Sequence, residues 1–288
     1  MKRIGVIANN DKPDVASALE RLSIRTAARN LTLFAASPTA DLLPHVERVA
    51  CNADLSEQIE VLMALGGDGT MLHSVRELTR DIPMIGVNLG SLGFMTSVSQ
   101  DELEAAVDAL ADESFQTSHR TAMDCTVIRK GERLQTYKAL NDIVLGWGAS
   151  SRIVTLSLRI NEEEVSSYAC DGLIVSTPTG STGHSLSAGG PIVHPEARTL
   201  LINMLCAHTL SARPMVIPDD NVLTIEATEV PEDKHLILSI DGQSENPFHG
   251  DDVLEIRKNP LGLRLIHLPG YSYYSVLRQK LHWRGRNV

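Results

Sequence analysis

Gly66-Gly-Asp-Gly69 sets one carboxylate among three glycines, directly after the apolar run at residues 61–65 and before an amphipathic run that opens near Met71. Glycines let backbone amides come close to a phosphate, and the start of a helix adds unpaired N–H groups with a favourable dipole. A carboxylate at such an apex is repelled by phosphate. Asp68 is therefore matched to a hydroxyl that must lose its proton, or to a magnesium ion. A turn aspartate that only caps the helix would look the same locally, because Asp-Gly suits tight turns. The two common nucleotide motifs are excluded: no G-K-[ST] occurs, and Leu72 stands where G-x-G-x-x-G requires its last glycine.

A second stretch with chemical potential is residues 171–193, DGLIVSTPTGSTGHSLSAGGPIV. It places seven Ser/Thr hydroxyls between Ser176 and Ser187, framed by the apolar runs LIV and PIV. Ser/Gly-rich composition alone would read as a flexible linker, but the apolar frame holds this loop inside a folded domain. Hydroxyls and exposed amides suit a ligand rich in hydroxyl and amide groups, and Gly180, Gly183, Gly189 and Gly190 permit close approach. A dinucleotide fits that description.

GGDGT resembles the motif shared by a kinase superfamily that includes NAD kinases, diacylglycerol and sphingosine kinases and 6-phosphofructokinases. The segment at 171–193 is similar to the diagnostic NAD kinase segment DGxxxSTPTGSTAYxLSxGGPI, which lipid kinases and phosphofructokinases lack. Further landmarks of that family follow in order: Asn88-Leu-Gly-Ser-Leu-Gly-Phe94, Asn141-Asp142, His208-Thr-Leu-Ser-Ala-Arg-Pro214, Asp241-Gly-Gln243 and Tyr271-Ser-Tyr-Tyr-Ser275. The resemblance spans nearly the whole chain. It implies transfer of a phosphoryl group from ATP or polyphosphate to the 2′-hydroxyl of the adenosine ribose of NAD, giving NADP. Magnesium or another divalent cation would accompany the donor.

By the same resemblance Asp68 orients the acceptor hydroxyl and takes its proton, while Gly69 and neighbouring amides cradle phosphate. Asn141 and Thr182 contact the adenine, Asp142 the ribose hydroxyls and Asp171 the nicotinamide end. Phe94, Ser176, Gly183, His184, Ser185, Leu186, Ser187 and Gln243 complete the binding set, Gln243 being equally readable as a simple turn residue; by position His73, one helical turn after Asp68-Gly69, is added for a ligand phosphate, and Arg152, after the loop that follows 143–145, for the nucleotides. For those last two the ordinary readings are a surface histidine on an amphipathic helix and a solvated arginine. No residue is assigned as a metal ligand. Two alternatives share part of the pattern: a lipid kinase, which would carry GGDGT, and an NAD-sensing module that has lost catalysis.

This chain departs from the family pattern twice. Gly183-His184 replaces Ala-Tyr, so a flat ring remains but a phenol becomes an imidazole, a group that titrates near neutrality. Asn141-Asp142 replaces Asn-Glu, which keeps the charge on a side chain one methylene shorter. Adjacent side chains in a regular strand point to opposite faces, so both can serve one ligand only at a strand end or bulge.

These residues need a scaffold. Across the first 115 residues, apolar runs at 3–8, 31–36, 61–65 and 83–88 alternate with helical patterns at 15–29, 71–79 and 101–110, as in a parallel α/β sheet. Beyond residue 115 short β-rich segments separated by polar turns take over, including 121–129, 143–145, 153–160, 173–176 and 236–240. The expected architecture is an α/β N-terminal domain with a Rossmann-like parallel sheet (1–115) and a mostly-β NAD-binding domain (116–267). An aromatic C-terminal tail (268–288) returns to the N-terminal domain. The last eighteen residues hold four of the chain's eleven aromatic residues, and these are expected to pack.

A net charge of -10 gives no support to a nucleic-acid or anionic-membrane partner. The four separated cysteines contain no C-x-x-C pair and read as reduced core thiols. The N-terminal MKRIGVIANN fits a first strand better than a signal peptide, and no apolar run reaches ~18 residues. Cytoplasmic localisation is the expectation, with a homodimer or homotetramer implied by the family.

Overall fold

The computed structural model describes residues 1–91, 93–148, 153–228, 230–231 and 234–283. Its chain begins β1 (Arg3–Ala8), α1 (Val15–Ala28), β2 (Thr32–Ala35), β3 (Glu47–Arg48), α2 (Asn52–Gln58), β4 (Val61–Gly66) and α3 (Asp68–Glu77). There follow β5 (Met84–Asn88), β6 (Val98–Ser99), α4 (Leu103–Ala111) and β7 (Gln116–Arg120). A β-rich stretch comes next: β8 (Met123–Arg129), β9 (Glu132–Ala139), β10 (Asp142–Gly146), β11 (Val154–Ile160), β12 (Glu163–Cys170), β13 (Gly172–Ser176) and the single turn α5 (His184–Ser187). It continues through β14 (Thr199–Leu205), β15 (Met215–Pro218), β16 (Leu223–Thr228), β17 (Leu236–Ile240), β18 (Ser244–Phe248) and β19 (Asp252–Lys258). The chain ends with β20 (Leu263–His267) and α6 (Tyr273–Lys280). Two compact units result, one of Met1–Ser118 with Leu263–Val288, the other of His119–Gly262.

The first unit is built on a sheet ordered β3-β2-β1-β4-β5-β20-β7, with β6 on β5. β1 pairs in parallel with both β2 and β4, and β4 with β5. Every residue of β4 is buried, as a parallel strand covered on both faces requires. α1 buries Val15, Ala18, Leu19 and Leu22 at helical spacing, and a half-buried edge presents Arg21 and Arg25, continued by Arg29 just past its end. Those three pair with Glu104, Asp108 and Asp112 respectively, a ladder that ties α1 to α4 and the residue just beyond it. Strand order reverses between β1 and β4. Ligands of open α/β sheets bind beyond the carboxyl ends of strands at that switch point, and Gly67-Asp68 lies there, beside Asn9, whose amide donates to Leu65 O at 2.9 Å.

The second unit contains two six-stranded sheets, ordered β15-β14-β13-β10-β17-β18 and β12-β11-β16-β19-β8-β9. All of the pairings in both are antiparallel. Leu145, Leu173, Val175, Ile202 and Leu238 of the first sheet share one core with Leu156, Leu158, Ile225, Leu254 and Ile256 of the second. This is face-to-face packing of two inward-turned apolar faces. β11 shows the expected alternation, with Val154, Leu156 and Leu158 buried between partly exposed Thr155 and Ser157.

Several expectations are corrected. α3 starts at Asp68 and not near Met71, because the Thr70 hydroxyl accepts the Gly67 amide at 3.4 Å while the Gly67 carbonyl accepts the Thr70 and Met71 amides. Residues 263–267, expected to close the β-rich domain, form β20 and pair in parallel with β5. The aromatic tail packs only in part. Tyr271 stacks on His267 with ring centroids 3.7 Å apart, yet Tyr274 and Trp283 are 60% and 53% exposed, and α6 buries Val276 and Leu277 instead. Cys125 and Cys170 are core thiols, whereas Cys51 and Cys206 are exposed. No helix among the described residues is long and apolar enough to cross a membrane.

Candidate functional site

In each unit one carboxylate gathers consecutive backbone amides. In the first, Asp68 occupies the first turn of α3, where an acidic side chain meets the positive end of the helix dipole. Its Oδ2 accepts the Phe94 amide at 2.8 Å; its Oδ1 accepts the Met95 amide at 3.0 Å, the Thr96 amide at 3.2 Å and the Thr96 hydroxyl at 3.3 Å. The loop that supplies these donors is shaped by buried Asn88 at the end of β5. Asn88 Oδ1 accepts the Gly90 amide at 2.7 Å, and Nδ2 donates to Ser91 O and to Thr96 Oγ1. Gly93 must be glycine, since a Cβ there would lie 2.0 Å from Asp68 Oδ1 and 2.3 Å from Thr96 Oγ1.

Gly69 is exposed at the same helix start, and His73, one turn further on the same face, is also exposed. Phe94 is half-buried, its amide on Asp68. Sequence reading reached Asp68 and Phe94 but not Asn88 or Thr96 as members of this site. Their signal was present in the spacing of Asn88 and Thr96 around Gly90 and Gly93, and it acquires meaning only when the loop folds back on α3.

In the second unit the carboxylate of Asp241 plays the corresponding part. It accepts from Leu140 N with both oxygens at 3.1 Å, from Asn141 N at 2.7 Å and from Asp142 N at 3.2 Å. Asn141 stands just before β10 and Asp142 is its first residue, so the pair sits at a strand end, where two neighbouring side chains escape strict alternation. Asp142 is 5% exposed. Burial, followed by the charge of Asp241, pushes its carboxyl up to about 7.

The hydroxyl-rich loop is stitched to residues 140 and 141. Asn141 O accepts the Thr177 amide at 2.9 Å and the Ser176 hydroxyl at 3.2 Å, and Leu140 O accepts the Thr177 hydroxyl at 2.5 Å. Gly180 abuts this junction so closely that a Cβ would fall 2.2 Å from Asn141 O. Ser181 is buried and links Pro178 O to the Val193 backbone. Ser176 and Ser185, expected among the direct ligand contacts, are fully buried and spend their hydroxyls on protein partners. Thr182 and Leu186 are half-buried, while Gly183, His184 and Ser187 are exposed. Gly183 lies beside Asp142, so that a Cβ added to it would stand 4.0 Å from Asp142 Oδ2.

Asn203, a polar residue in the middle of apolar β14, is 1% exposed and donates through Nδ2 to Ser185 O at 3.0 Å and Ser185 Oγ at 3.2 Å. It clamps α5 from beneath, a role that sequence reading missed. Asp171, half-buried, leads into β13, with its amide on Leu205 O at 2.9 Å; its carboxylate hydrogen-bonds the Cys206 thiol and raises that thiol's pKa. Gln243 is exposed in the β17–β18 turn. Arg152 lies outside the described residues.

The first unit holds a carboxylate fixed at a sheet's switch point and the second a glycine-bordered polar loop, and the chain's relatives place it among small-molecule kinases. Residues 4–115 match the ATP-NAD kinase N-terminal domain and residues 140–268 the ATP-NAD kinase C-terminal domain. The NAD kinase of Gemmatimonas aurantiaca is 38% identical over 286 residues, covering 98% of this chain and 96% of that protein. That of Azotobacter vinelandii is 38% identical over 287 residues, covering 99% and 97%. Among solved structures, yeast NADH kinase complexed with NADH superposes with a TM-score of 0.89 at 23% identity, over 100% of this chain and 89% of that one. An NAD kinase from Archaeoglobus fulgidus in complex with ATP gives 0.73 at 23% identity, over 98% and 100%. The chain belongs to the NAD kinase family.

Proposed function

We propose that Asp68 is the group that orients the 2′-hydroxyl of the adenosine ribose of NAD and accepts its proton as the hydroxyl oxygen bonds to the terminal phosphorus of the donor, whose bridging P–O bond breaks to release ADP or the shortened polyphosphate. The observation that carries this reading is the unequal loading of its two oxygens. Oδ1 takes three hydrogen bonds and Oδ2 one, which fixes the carboxylate and leaves Oδ2 with acceptor capacity for a substrate hydroxyl. Phosphoryl transfer passes through a loose transition state, so proton removal comes late and positioning supplies most of the acceleration. A fixed carboxylate suits that demand.

Asn141, Asp142, Asp171, Thr182, Gly183, His184, Leu186, Ser187 and Gln243 are assigned to NAD, with Ser176 and Ser185 shaping the loop that presents them. Gly69, His73, Phe94 and Arg152 are assigned to the phosphates and the adenosine. The relatives' identity over the whole chain and the loop at 171–193 favour this over a lipid kinase or a non-catalytic NAD sensor.

ATP is the donor favoured by the family, with polyphosphate as a second donor to be assayed beside it. Among the described residues no three His, Cys, Asp or Glu side chains form a group that could hold a metal ion. We assign a divalent cation to the donor's phosphates, the usual arrangement for magnesium. Cytoplasmic localisation, expected from the sequence, and a homodimer or homotetramer, implied by the resemblance, are parts of the same proposal.

The test is NADP formation by purified protein with each donor, with and without EDTA, in wild type and Asp68→Asn. Loss of about 10²–10⁴-fold in kcat with NAD KM within a few-fold is expected for the variant. Wild-type turnover in Asp68→Asn would refute the assigned role.

A further inference from the structure

Asp241 is held in an unusual backbone conformation. It and Gly242 both have left-handed φ values, +53° and +63°, and the Gln243 amide closes the turn on Ile240 O at 3.0 Å. Both central residues of this turn thus carry the positive φ of the tight hairpin type, which Asp-Gly accommodates well. The turn aims the Asp241 carboxylate inward, where the residue is 8% exposed and three consecutive amides converge on it. Its own amide donates to Asp142 O at 2.9 Å. Residues 140–142 are therefore gripped from one point through three donors and one acceptor.

In a regular strand successive N–H groups point alternately to the two sides, so three in a row cannot meet one acceptor. Asp241 stabilises the local departure from strand geometry, and that departure is what two adjacent side chains need to serve one ligand. We propose that Asp241 is a positioning residue for NAD binding, fixing the backbone of residues 140–142 so that the Asn141 and Asp142 side chains both reach the dinucleotide. This rests on the assignment of Asn141 and Asp142 to NAD.

The same placement has an electrostatic effect. Asp241 is the charged group that acts on the Asp142 carboxyl, in addition to burial. The neighbours of Asp142 on β13 and on the loop before α5 are uncharged: Ser176 opposite it on β13 and Gly183 beside Oδ2. An ionised Asp142 accepts a hydrogen bond from a ribose hydroxyl, so NAD affinity falls as pH drops through about 7.

The experiment is steady-state kinetics of full-length wild type, Asp241→Asn, Asp241→Glu and Asp142→Asn between pH 6 and 9 with MgATP and NAD. Asp241→Asn should raise NAD KM roughly 10–100-fold with kcat changed by less than about 3-fold, the cost of losing a charged acceptor of several amides. It should also move the midpoint of the KM profile down by about one pH unit, a readout that a purely structural defect would not shift. Asp241→Glu should restore the midpoint without restoring KM, and it keeps the test open if the Asn variant fails to fold. Asp142→Asn should raise KM and flatten the profile. Unchanged KM and midpoint in both Asp241 variants, with KM raised in Asp142→Asn, would overturn the role of Asp241. Unchanged KM in Asp142→Asn would instead overturn the assignment of Asp142 to NAD.

Discussion

The Phe94 amide donates to Asp68 Oδ2 at 2.8 Å, across 26 residues of sequence, and so joins the glycine turn after β4 to the loop after β5. A catalytic carboxylate that could rotate freely would lose much of the benefit of its position. The amides of residues 94–96 remove that freedom from Asp68, which, in the role proposed for it, is the preorganisation that positioning catalysis requires.

Gly93→Ala tests this directly. The added methyl would lie 2.0 Å from Asp68 Oδ1, so the carboxylate or the loop must move. Displacements of that order near reacting groups reduce rates by as much as about 10²-fold. The expected result is a fall in kcat of that size, with NAD affinity by calorimetry close to wild type. Wild-type kcat would show that the Asp68–loop contact is dispensable.

Asp142 should make stability depend on pH in an unusual direction. Its carboxyl is raised in the folded protein to about 7 from an ordinary value near ~3.9. The folded state therefore holds the proton more tightly than the unfolded state. The associated stability is fully present below the unfolded pKa and is lost as pH rises towards and through the folded one. Asp142→Asn removes the penalty of ionising this group, so the variant should gain roughly 2–4 kcal/mol over wild type at pH 8, with the gain shrinking towards pH 4. Thermal or urea unfolding at the two pH values measures it. A difference independent of pH would count against the raised pKa.

His184 offers a control for the source of any pH effect on NAD binding. It is exposed on α5, and His184→Tyr keeps a flat ring while removing the imidazole. NAD KM should stay within about 3-fold, because aromatic stacking on a base is tolerant of ring type. The midpoint of its pH profile should not move if Asp142 carries the titration. A profile flattened by His184→Tyr would transfer that role to the imidazole.

Asn203→Leu probes the clamp under α5. A leucine nearly preserves volume but releases Ser185 O and Oγ from the 3.0 Å and 3.2 Å contacts of the Asn203 amide. Loss of about one to two hydrogen bonds should raise NAD KM roughly 5–20-fold while leaving the melting temperature within a few degrees, since a buried polar group is exchanged for an apolar one. An unchanged KM would mean that Gly190 and the backbone alone hold the turn.

Much of the molecule was legible in its residues. The apolar run that became β4 and the helix-period pattern of α1 carry their own periodicity, and glycines around an aspartate constrain what a strand-to-helix turn can bind. The boundary of α3 was misplaced because its start depends on the Thr70 hydroxyl reaching Gly67, a contact weaker as a sequence signal than the apolar pattern that begins at Met71. Residues 263–267 carry alternation that suits either kind of sheet; only the open edge beside β5 directs them there. The burial of Ser176 and Ser185 was not legible either, because sequence records hydrogen-bonding capacity and not which protein group meets it.

Residue order alone set the chemistry available: a carboxylate framed by glycines, a polar loop framed by apolar strands, and a family resemblance that names the substrate. The folded chain settled which groups hold those parts in place. Asp68 is fixed by amides of residues 94–96 and the strand end at Asn141-Asp142 by Asp241, about 100 positions away along the chain. Local composition fixes a residue's donors, acceptors and intrinsic conformation, whereas the partner that satisfies a buried donor is chosen by which distant segment the fold brings within hydrogen-bond reach.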